Sequence, residues 1–185
     1  MNPIPALRSL LALTLVASPL ILTEPASAQG YPPSQRGSVM QSIALTKVTV
    51  VYGRPVARGR ALFGALVPWD SVWHPGADSA TRVTFSRDVV VEGQPLKAGT
   101  YSLWLVPRAA GPWTFILSKA AFVDHKAYAG PSRDAVRVDV APDSLSPMES
   151  MAIYFPRVLR DEGSMRVHWG TSAVTVNIKA PYRPN

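Results

Sequence analysis

Apolar and polar residues alternate along most of this chain, in short runs that glycine and proline separate. The last run shows the pattern most clearly, because Val174, Val176 and Ile178 alternate with polar residues over one extended segment. Successive side chains of a β-strand point to opposite faces, so a period of two predicts strands with one buried face rather than helices. Such faces are buried by packing one sheet against another.

About ten such runs occur, and we predict a strand at each: residues 39–43, 48–52, 81–85, 89–91, 101–106, 113–117, 135–140, 151–155, 165–169 and 173–179. Thr46-Lys47 and Gly170-Thr171-Ser172 are expected to be turns between neighbouring runs. A turn or two of helix is expected only within residues 119–128. The predicted fold is therefore all-β, a single antiparallel β-sandwich of jelly-roll or immunoglobulin-like type, with about ten short strands and little helix.

The first 28 residues have the order of an export signal. Arg8 precedes an apolar run over residues 10–22, and Ala26-Ser27-Ala28 provides the small residues that signal peptidase reads, so we expect cleavage after Ala28. The apolar run is shorter than the roughly 20 residues of a membrane-spanning helix, which makes an uncleaved anchor the weaker alternative. We therefore expect a periplasmic or secreted protein with no transmembrane segment after cleavage.

Beyond the signal, residues 29–37 are rich in Pro, Ser and Gly and lack periodicity, so they are expected to form a flexible linker. The β-sandwich domain is predicted over residues 38–181. Cleavage after Ala28 would leave 185 − 28 = 157 residues, a length that suits one domain with one core.

Composition narrows the chemistry and the partners. The chain has no cysteine, which excludes thiol catalysis and Cys-ligated metals and leaves the fold to packing rather than to disulfides. Its formal net charge is +7, but Lys and Arg are scattered in ones and twos, and export separates the protein from cytoplasmic nucleic acid. We therefore expect no nucleic-acid partner. An anionic polysaccharide or another envelope component fits a basic exported domain better.

Between residues 38 and 176 the chain carries an ordered set of short loop and strand motifs. They are Gly53-Arg54-Pro55, Gly59-Arg60, Leu62-Phe63-Gly64, Val67-Pro68, Val72-Trp73, Gly76-Ala77, Thr84-Phe85-Ser86, Ala98-Gly99-Thr100-Tyr101-Ser102-Leu103 and Ile153-Tyr154-Phe155. In combination they resemble the bacterial domain of unknown function 2911 family, a group of exported proteins without an assigned activity. The resemblance implies an all-β exported domain and carries over no catalytic role. This chain departs from the family pattern at His74, Asp78 and Gly170, where we would expect Arg, Asn and an acidic residue.

The segment from Trp73 to Asp78 is the first candidate site. His74 and Asp78 lie four residues apart across a Pro-Gly turn, where an imidazole and a carboxylate could converge on one water or metal ion. A metal site needs three or more ligands, however, and His125 and His168 stand alone without a familiar ligand spacing. The alternative is an ordinary loop in which Asp78 hydrogen-bonds turn amides and Trp73 packs underneath. We therefore assign no metal ligand from the sequence.

A cluster of arginines is the second candidate. Arg54, Arg58 and Arg60 fall within seven positions of one connection, and their forked guanidinium groups suit carboxylate, sulfate or phosphate recognition. The alternative is a solvated face in which one Arg pairs with Asp70 or Asp78.

Aromatic residues form the third candidate, because an exposed Trp on a sandwich face would offer a platform for sugar rings. In the strand over residues 101–106, Trp104 lies on the face opposite Leu103 and Leu105, which we expect to be the less buried face. The alternative is a role for the Trp residues in the core or at a sheet edge.

Motifs of the common hydrolases are absent from the sequence, including the Gly-x-Ser-x-Gly elbow and the His-Glu-x-x-His helix. A Ser-His-Asp arrangement from distant strands and a carboxylate pair of Asp78 with Glu92 stay open. We assign no catalytic residue and no cofactor. The leading hypothesis is a non-catalytic envelope protein that binds a ligand or partner through Arg54, Arg58, Arg60, Trp73, His74, Asp78 and Trp104. The alternatives are a metal- or carboxylate-dependent hydrolase centred on His74 and Asp78, and a purely structural envelope protein.

Overall fold

The computed structural model describes residues 34–182. This part of the chain contains ten strands: β1 (Gln35–Ile43), β2 (Thr46–Arg54), β3 (Arg82–Phe85), β4 (Val89–Val91), β5 (Gln94–Leu96), β6 (Gly99–Val106), β7 (Trp113–Ser118), β8 (Asp134–Val140), β9 (Pro142–Val158) and β10 (Glu162–Lys179). A short 3-10 turn, Pro131–Arg133, is the only helical segment in the described range.

The strands form two antiparallel sheets. Six strands are ordered β1-β2-β3-β6-β7-β8, and four are ordered β5-β4-β10-β9. Side chains from both sheets contribute to one buried apolar cluster. The predicted all-β, antiparallel β-sandwich is therefore confirmed.

The alternation seen in the sequence accounts for this shared interior. On β10, Val174, Val176 and Ile178 are at most 2% exposed, whereas Asn177 and Lys179 on the opposite face are exposed. Burying one such aliphatic side chain contributes roughly 1.5–3 kcal/mol relative to leaving it in water. The period of two thus determines which face of each strand joins the core.

The last two strands are longer than predicted, with 17 residues in β9 and 18 in β10. The prediction of a turn at Gly170-Thr171-Ser172 was wrong, because these residues belong to β10. The register between β10 and β9 shifts on both sides of Gly170, which has a φ of 58°. Such a bulge interrupts the alternation in the same way as a turn, so the sequence pattern does not distinguish the two.

The first hairpin also differs in its boundaries. Ala44 and Leu45 form its turn, so the predicted turn residues Thr46-Lys47 are the first residues of β2. Ala44 has a φ of 48°, a conformation that the sequence gives no reason to expect of alanine. β1 begins at Gln35, so residues 35–37 pair with β2 rather than forming the end of the linker.

Two further differences concern short segments. Residues 119–128 contain no helix, and part of their backbone bonds to other segments: Lys119 N donates to Arg133 O at 2.8 Å, and Val123 O accepts from Ala80 N at 3.2 Å. Gln94–Leu96, where we predicted no strand, forms the edge strand β5 beside β4.

The predicted signal peptide and residues 29–33 of the predicted linker lie outside the described residues. Cleavage after Ala28 therefore stays a prediction. Across residues 34–182, the structure contains no helix with the length and apolar character that a membrane crossing demands.

Two long connections shape the surface around β6. The first, residues 55–81, joins β2 to β3 and begins beside β9, where Ala57 N donates a hydrogen bond to Glu149 O at 2.8 Å. It then runs beside β6, where Trp73 and Leu105 exchange backbone hydrogen bonds of 2.8 and 2.7 Å. This connection is thus bonded to one strand of each sheet.

The second connection, residues 119–133, joins β7 to β8 and covers part of the outer face of the six-stranded sheet. Trp104 and Ile116, which lie outside the main core, are buried beneath it at 1% and 0% exposure. Val123 and Tyr128 of the connection pack against them.

Candidate functional site

A cleft of about 770 Å³ lies between the two connections. Its lining includes Arg60, Trp73, His74, Gly76, Asp78, Trp104, His125, Lys126, Tyr128 and Trp169. A neighbouring cavity of about 540 Å³ shares Asp78 and His125 with it. The fold therefore brings residues from distant parts of the sequence to one concave surface.

His74 lies buried at this cleft, with 5% of its surface exposed. Among the described residues, its Nε2 is the one buried side-chain nitrogen or oxygen without a hydrogen-bond partner. Leaving a buried polar group unbonded costs roughly 1–3 kcal/mol, so such an atom requires an explanation. Burial, together with the nearby His125, lowers the pKa of His74 from 6.5 to about 4. The imidazole is therefore neutral at neutral pH.

Gly76 leaves space beside the His74 ring. A Cβ atom built at Gly76 would lie 3.1 Å from His74 Nε2 and 2.5 Å from Thr81 Oγ1. Thr81 is fully buried, and its hydroxyl donates a hydrogen bond to Pro75 O at 2.6 Å. A side chain at position 76 would therefore crowd the unbonded nitrogen and disturb a buried hydrogen bond.

A second imidazole faces the first. The ring centroids of His74 and His125 are 5.8 Å apart, and their planes are inclined by 46°. His125 Nδ1 lies 2.6 Å from Asp124 Oδ1, and 41% of the His125 side chain is exposed. A carboxylate at this distance favours the tautomer with hydrogen on Nδ1 and a lone pair on Nε2. The pair thus combines a buried imidazole with a partly exposed one that a carboxylate orients.

Asp78 lines the same cleft as His74, so the structure brings these two candidate residues together. It is exposed and has a φ of 64°. Its suggested carboxylate partner, Glu92, lines a separate cavity and accepts hydrogen bonds from the backbone and side chain of Asn177. The structure therefore does not bring Asp78 and Glu92 together as a pair for hydrolysis.

The three candidate arginines do not converge on one point. Arg54 Nε donates to a carbonyl of β9 at 3.1 Å, and the backbone N–H of Arg58 donates to Glu149 Oε1 at 2.6 Å. Of the three, only Arg60 lines the cleft, where Nε and Nη2 donate to two carbonyls of its own connection at 2.9 and 2.7 Å. These bonds use two of the five guanidinium N–H groups and fix the plane of the fork.

Trp104 is buried, and the expectation that it lies on a less buried face was wrong. It does lie on the face opposite Leu105, but the second connection covers that face. All five Trp residues fall within residues 34–182 and none is exposed, although Trp69 and Trp73 are half-buried. The aromatic surface is therefore part of a cleft wall and not a flat platform.

His125, Lys126 and Tyr128 line the cleft but were not among the predicted site residues. His125 was set aside because it stands alone in the sequence without a familiar ligand spacing. The Tyr128 hydroxyl donates to the Asp134 carboxylate at 2.8 and 2.9 Å and accepts a hydrogen bond from Arg137 at 2.7 Å. Burial raises the pKa of Tyr128, and the bond to Asp134 raises it further. The sequence signal that could have indicated these site residues is the run of charged and aromatic residues between two predicted strands.

No group of three His, Asp or Glu side chains within the described range is placed to bind a metal ion. His168 is not available, because its two ring nitrogens contact Tyr154 Oη at 3.3 Å and Gly170 O at 3.1 Å. Residues 34–182 thus do not supply three side-chain ligands to a metal centre at His74 and Asp78.

Comparison with family models identifies the same family that the short sequence motifs resemble. The model described as "Protein of unknown function (DUF2911)" matches residues 34–178, a span that includes both long connections. The chain belongs to this family. The DUF2911 description names no reaction and no ligand. Neither a curated protein nor a solved structure matches the chain.

Proposed function

We propose that this DUF2911 domain is an exported, non-catalytic binding module whose cleft takes an acidic saccharide. The order of residues 1–28 supports export. The observation that carries the binding proposal is that two cationic side chains, Arg60 and Lys126, share one cleft with aromatic walls. This combination suits a ring that has an apolar face and an attached carboxylate.

The accessible aromatic walls come from the two connections. Trp73 belongs to the first connection and Tyr128 to the second, and both are half-buried, whereas Trp104 of β6 is buried and packs against Tyr128. The rings of Trp104 and Tyr128 are 5.4 Å apart and tilted by 57°. Indole and phenol rings provide apolar surface against which the C–H face of a sugar packs, while their polar atoms stay bonded.

The charged side chains that line the cleft favour an acidic sugar unit over a neutral one. Arg60 and Lys126 contribute two positive charges to the lining, and Asp78 contributes one negative charge. A guanidinium fork with two of its N–H groups already bonded keeps three for a carboxylate, and Asp78 can accept hydrogen bonds from sugar hydroxyls. The net charge of the lining, 2 − 1 = +1, favours a ligand that places about one carboxylate in the cleft.

The cleft is built before any ligand arrives. The first connection is bonded to β9 and to β6, and the Tyr128 hydroxyl ties the second connection to Asp134 and Arg137. A site held in this way loses little conformational entropy on binding. We therefore expect the ligand to bind without either connection closing over it.

The test is isothermal titration calorimetry with an oligogalacturonate trimer, and maltotriose serves as the neutral control. We expect saturable binding of the acidic trimer that weakens in high salt, and little binding of maltotriose. Lys126→Ala is expected to weaken binding roughly fivefold, since an exposed ion pair contributes up to about 1 kcal/mol. Arg87→Ala removes an exposed charge in the turn before β4 and is the matched control, with no change expected.

Equal weakening by Lys126→Ala and Arg87→Ala would indicate that the net charge of the protein, and not this cleft, attracts the trimer. Absence of binding to the oligogalacturonate trimer would contradict the proposal and favour a purely structural envelope role.

A further inference from the structure

We propose that His74 and His125 together bind a divalent transition-metal ion such as Zn²⁺ at the side of the cleft, with Asp124 as the residue that orients His125. This inference does not depend on the saccharide proposal, because it concerns the metal ion alone.

The first observation is the unbonded nitrogen of His74. Nε2 is buried and has no hydrogen-bond partner among the described residues, although the ring lines a cleft. Gly76 lies beside the ring, and a Cβ atom at this residue would lie 3.1 Å from His74 Nε2. A metal ion would satisfy the bare nitrogen, which a side chain at Gly76 would crowd.

The second observation is the distance between the rings. Zn–N bonds are about 2.0–2.1 Å long, so two imidazoles on one tetrahedral ion have ring centroids roughly 5–6 Å apart. The centroids of His74 and His125 are 5.8 Å apart, and the planes are inclined by 46° instead of being stacked. The pair therefore already has the separation that a shared ion imposes.

The third observation is the carboxylate behind His125. Asp124 Oδ1 lies 2.6 Å from Nδ1, which directs the lone pair of the ring to Nε2. Metal-binding histidines usually donate their other ring N–H to such a group, which fixes the tautomer and makes the ring a stronger ligand. Neighbouring Asp124 thus has the role of a positioning residue.

The chemistry of the donors selects the class of ion. Imidazole nitrogens suit Zn²⁺ and Cu²⁺, whereas Mg²⁺ and Ca²⁺ prefer oxygen ligands. With two protein ligands in the described range, the remaining positions would be filled by water or by oxygen atoms of a ligand in the cleft. The whole chain has three His residues and no Cys, and both ring nitrogens of His168 have partners. Strong nitrogen ligation is therefore confined to this pair.

The test is calorimetric titration of chelator-treated protein with Zn²⁺, accompanied by visible absorption with Co²⁺. We expect one saturable Zn²⁺ site per chain, no comparable binding of Mg²⁺, and d–d bands from Co²⁺. His125→Ala is expected to weaken Zn²⁺ binding at least tenfold, and Asp124→Asn about 10- to 100-fold as for other orienting carboxylates. Asp88→Asn removes an exposed carboxylate that pairs with Lys97 and is the control, with no change expected.

His74 is buried, so a variant at this position tests folding as well as binding. Nitrogen NMR of the wild-type imidazoles provides the separate measurement, and Zn²⁺ should shift Nε2 of His74 and of His125 while leaving His168 unchanged. Absence of a saturable site would overturn the inference. It would also be overturned by Zn²⁺ binding that survives His125→Ala, or by shifts confined to His168.

Discussion

The indole rings of Trp73 and Trp169 stack against each other, with centroids 6.1 Å apart and planes inclined by 15°. Trp73 belongs to the connection between β2 and β3, whereas Trp169 belongs to β10 of the four-stranded sheet. Phe63 contacts both rings edge-on, at 5.7 and 6.5 Å. The long first connection is thus packed into the sandwich by aromatic contacts as well as by backbone hydrogen bonds, and one edge of the cleft depends on it.

Replacing Trp73 by alanine should destabilise the fold and open the cleft. Burial of a large aromatic side chain is typically worth about 3–5 kcal/mol, and stacking adds roughly 0.5–1.5 kcal/mol, but Trp73 is only half-buried. We expect a loss of roughly 2–4 kcal/mol in the free energy of unfolding, measured by urea denaturation. Trp73→Phe, which keeps a ring, should lose less than half as much. Equal losses for the two variants would contradict the stacking argument.

Lowering the pH should reduce the free energy of unfolding of the metal-free protein, because His74 binds a proton more readily in the unfolded chain. Its pKa of about 4 lies below the ordinary value of 6.5, so between these values the unfolded chain binds the proton more strongly than the folded one. Stability contributed by this group is present above pH 6.5 and falls as the pH drops toward 4, by up to roughly 3 kcal/mol. Urea unfolding in chelator at pH 7 and 4.5 measures the change. His74→Phe should reduce the difference between the two pH values, and an unchanged difference would refute the assignment to His74.

Replacing Gly76 by alanine should destabilise the fold, although the backbone of Gly76 does not have the positive φ that disfavours alanine. The added Cβ would lie 2.5 Å from Thr81 Oγ1 and crowd His74 Nε2. Overpacking of this kind costs typically about 1–3 kcal/mol. Thermal unfolding is the measurement, and a melting temperature equal to that of the wild type would show that the space beside the ring is not required.

The hydroxyl of Tyr128 should hold the second connection in place. Tyr128→Phe keeps the ring that packs on Trp104 but removes the bonds to Asp134 and Arg137. We expect a loss of about 1–3 kcal/mol, because bonds to charged groups are stronger than neutral ones. Hydrogen exchange should become faster within residues 119–130 and stay unchanged in β2. Unchanged exchange in the connection would contradict the proposed tether.

Much of the sandwich is predictable because side-chain alternation has a direct physical cause. In β10 the buried face of Val174, Val176 and Ile178 follows from the period of two, and β4 was predicted with its observed bounds. The long strands were not predictable in the same way. The bulge around Gly170 has the composition of a turn, and what makes it a bulge is its continued pairing with β9, which depends on residues far away in the sequence.

The candidate site was predictable only in part, for a similar reason. His74 and Asp78 are close in sequence, so their meeting at one cleft could be anticipated. His125 is 51 residues beyond His74, and only the path of the second connection over Trp104 brings the two rings together. The arginines illustrate the converse, since Arg54 and Arg60 are only six residues apart in sequence but bond to carbonyls of different segments, β9 and the first connection.

Two-dimensional ¹H–¹⁵N NMR of the protein titrated with an oligogalacturonate trimer tests most directly whether the cleft between the two connections is the binding site. We expect saturable shifts in amides of residues 55–81 and 119–130, and none around the β4–β5 turn. Shifts confined to other surfaces, or no shifts at saturating trimer, would contradict it.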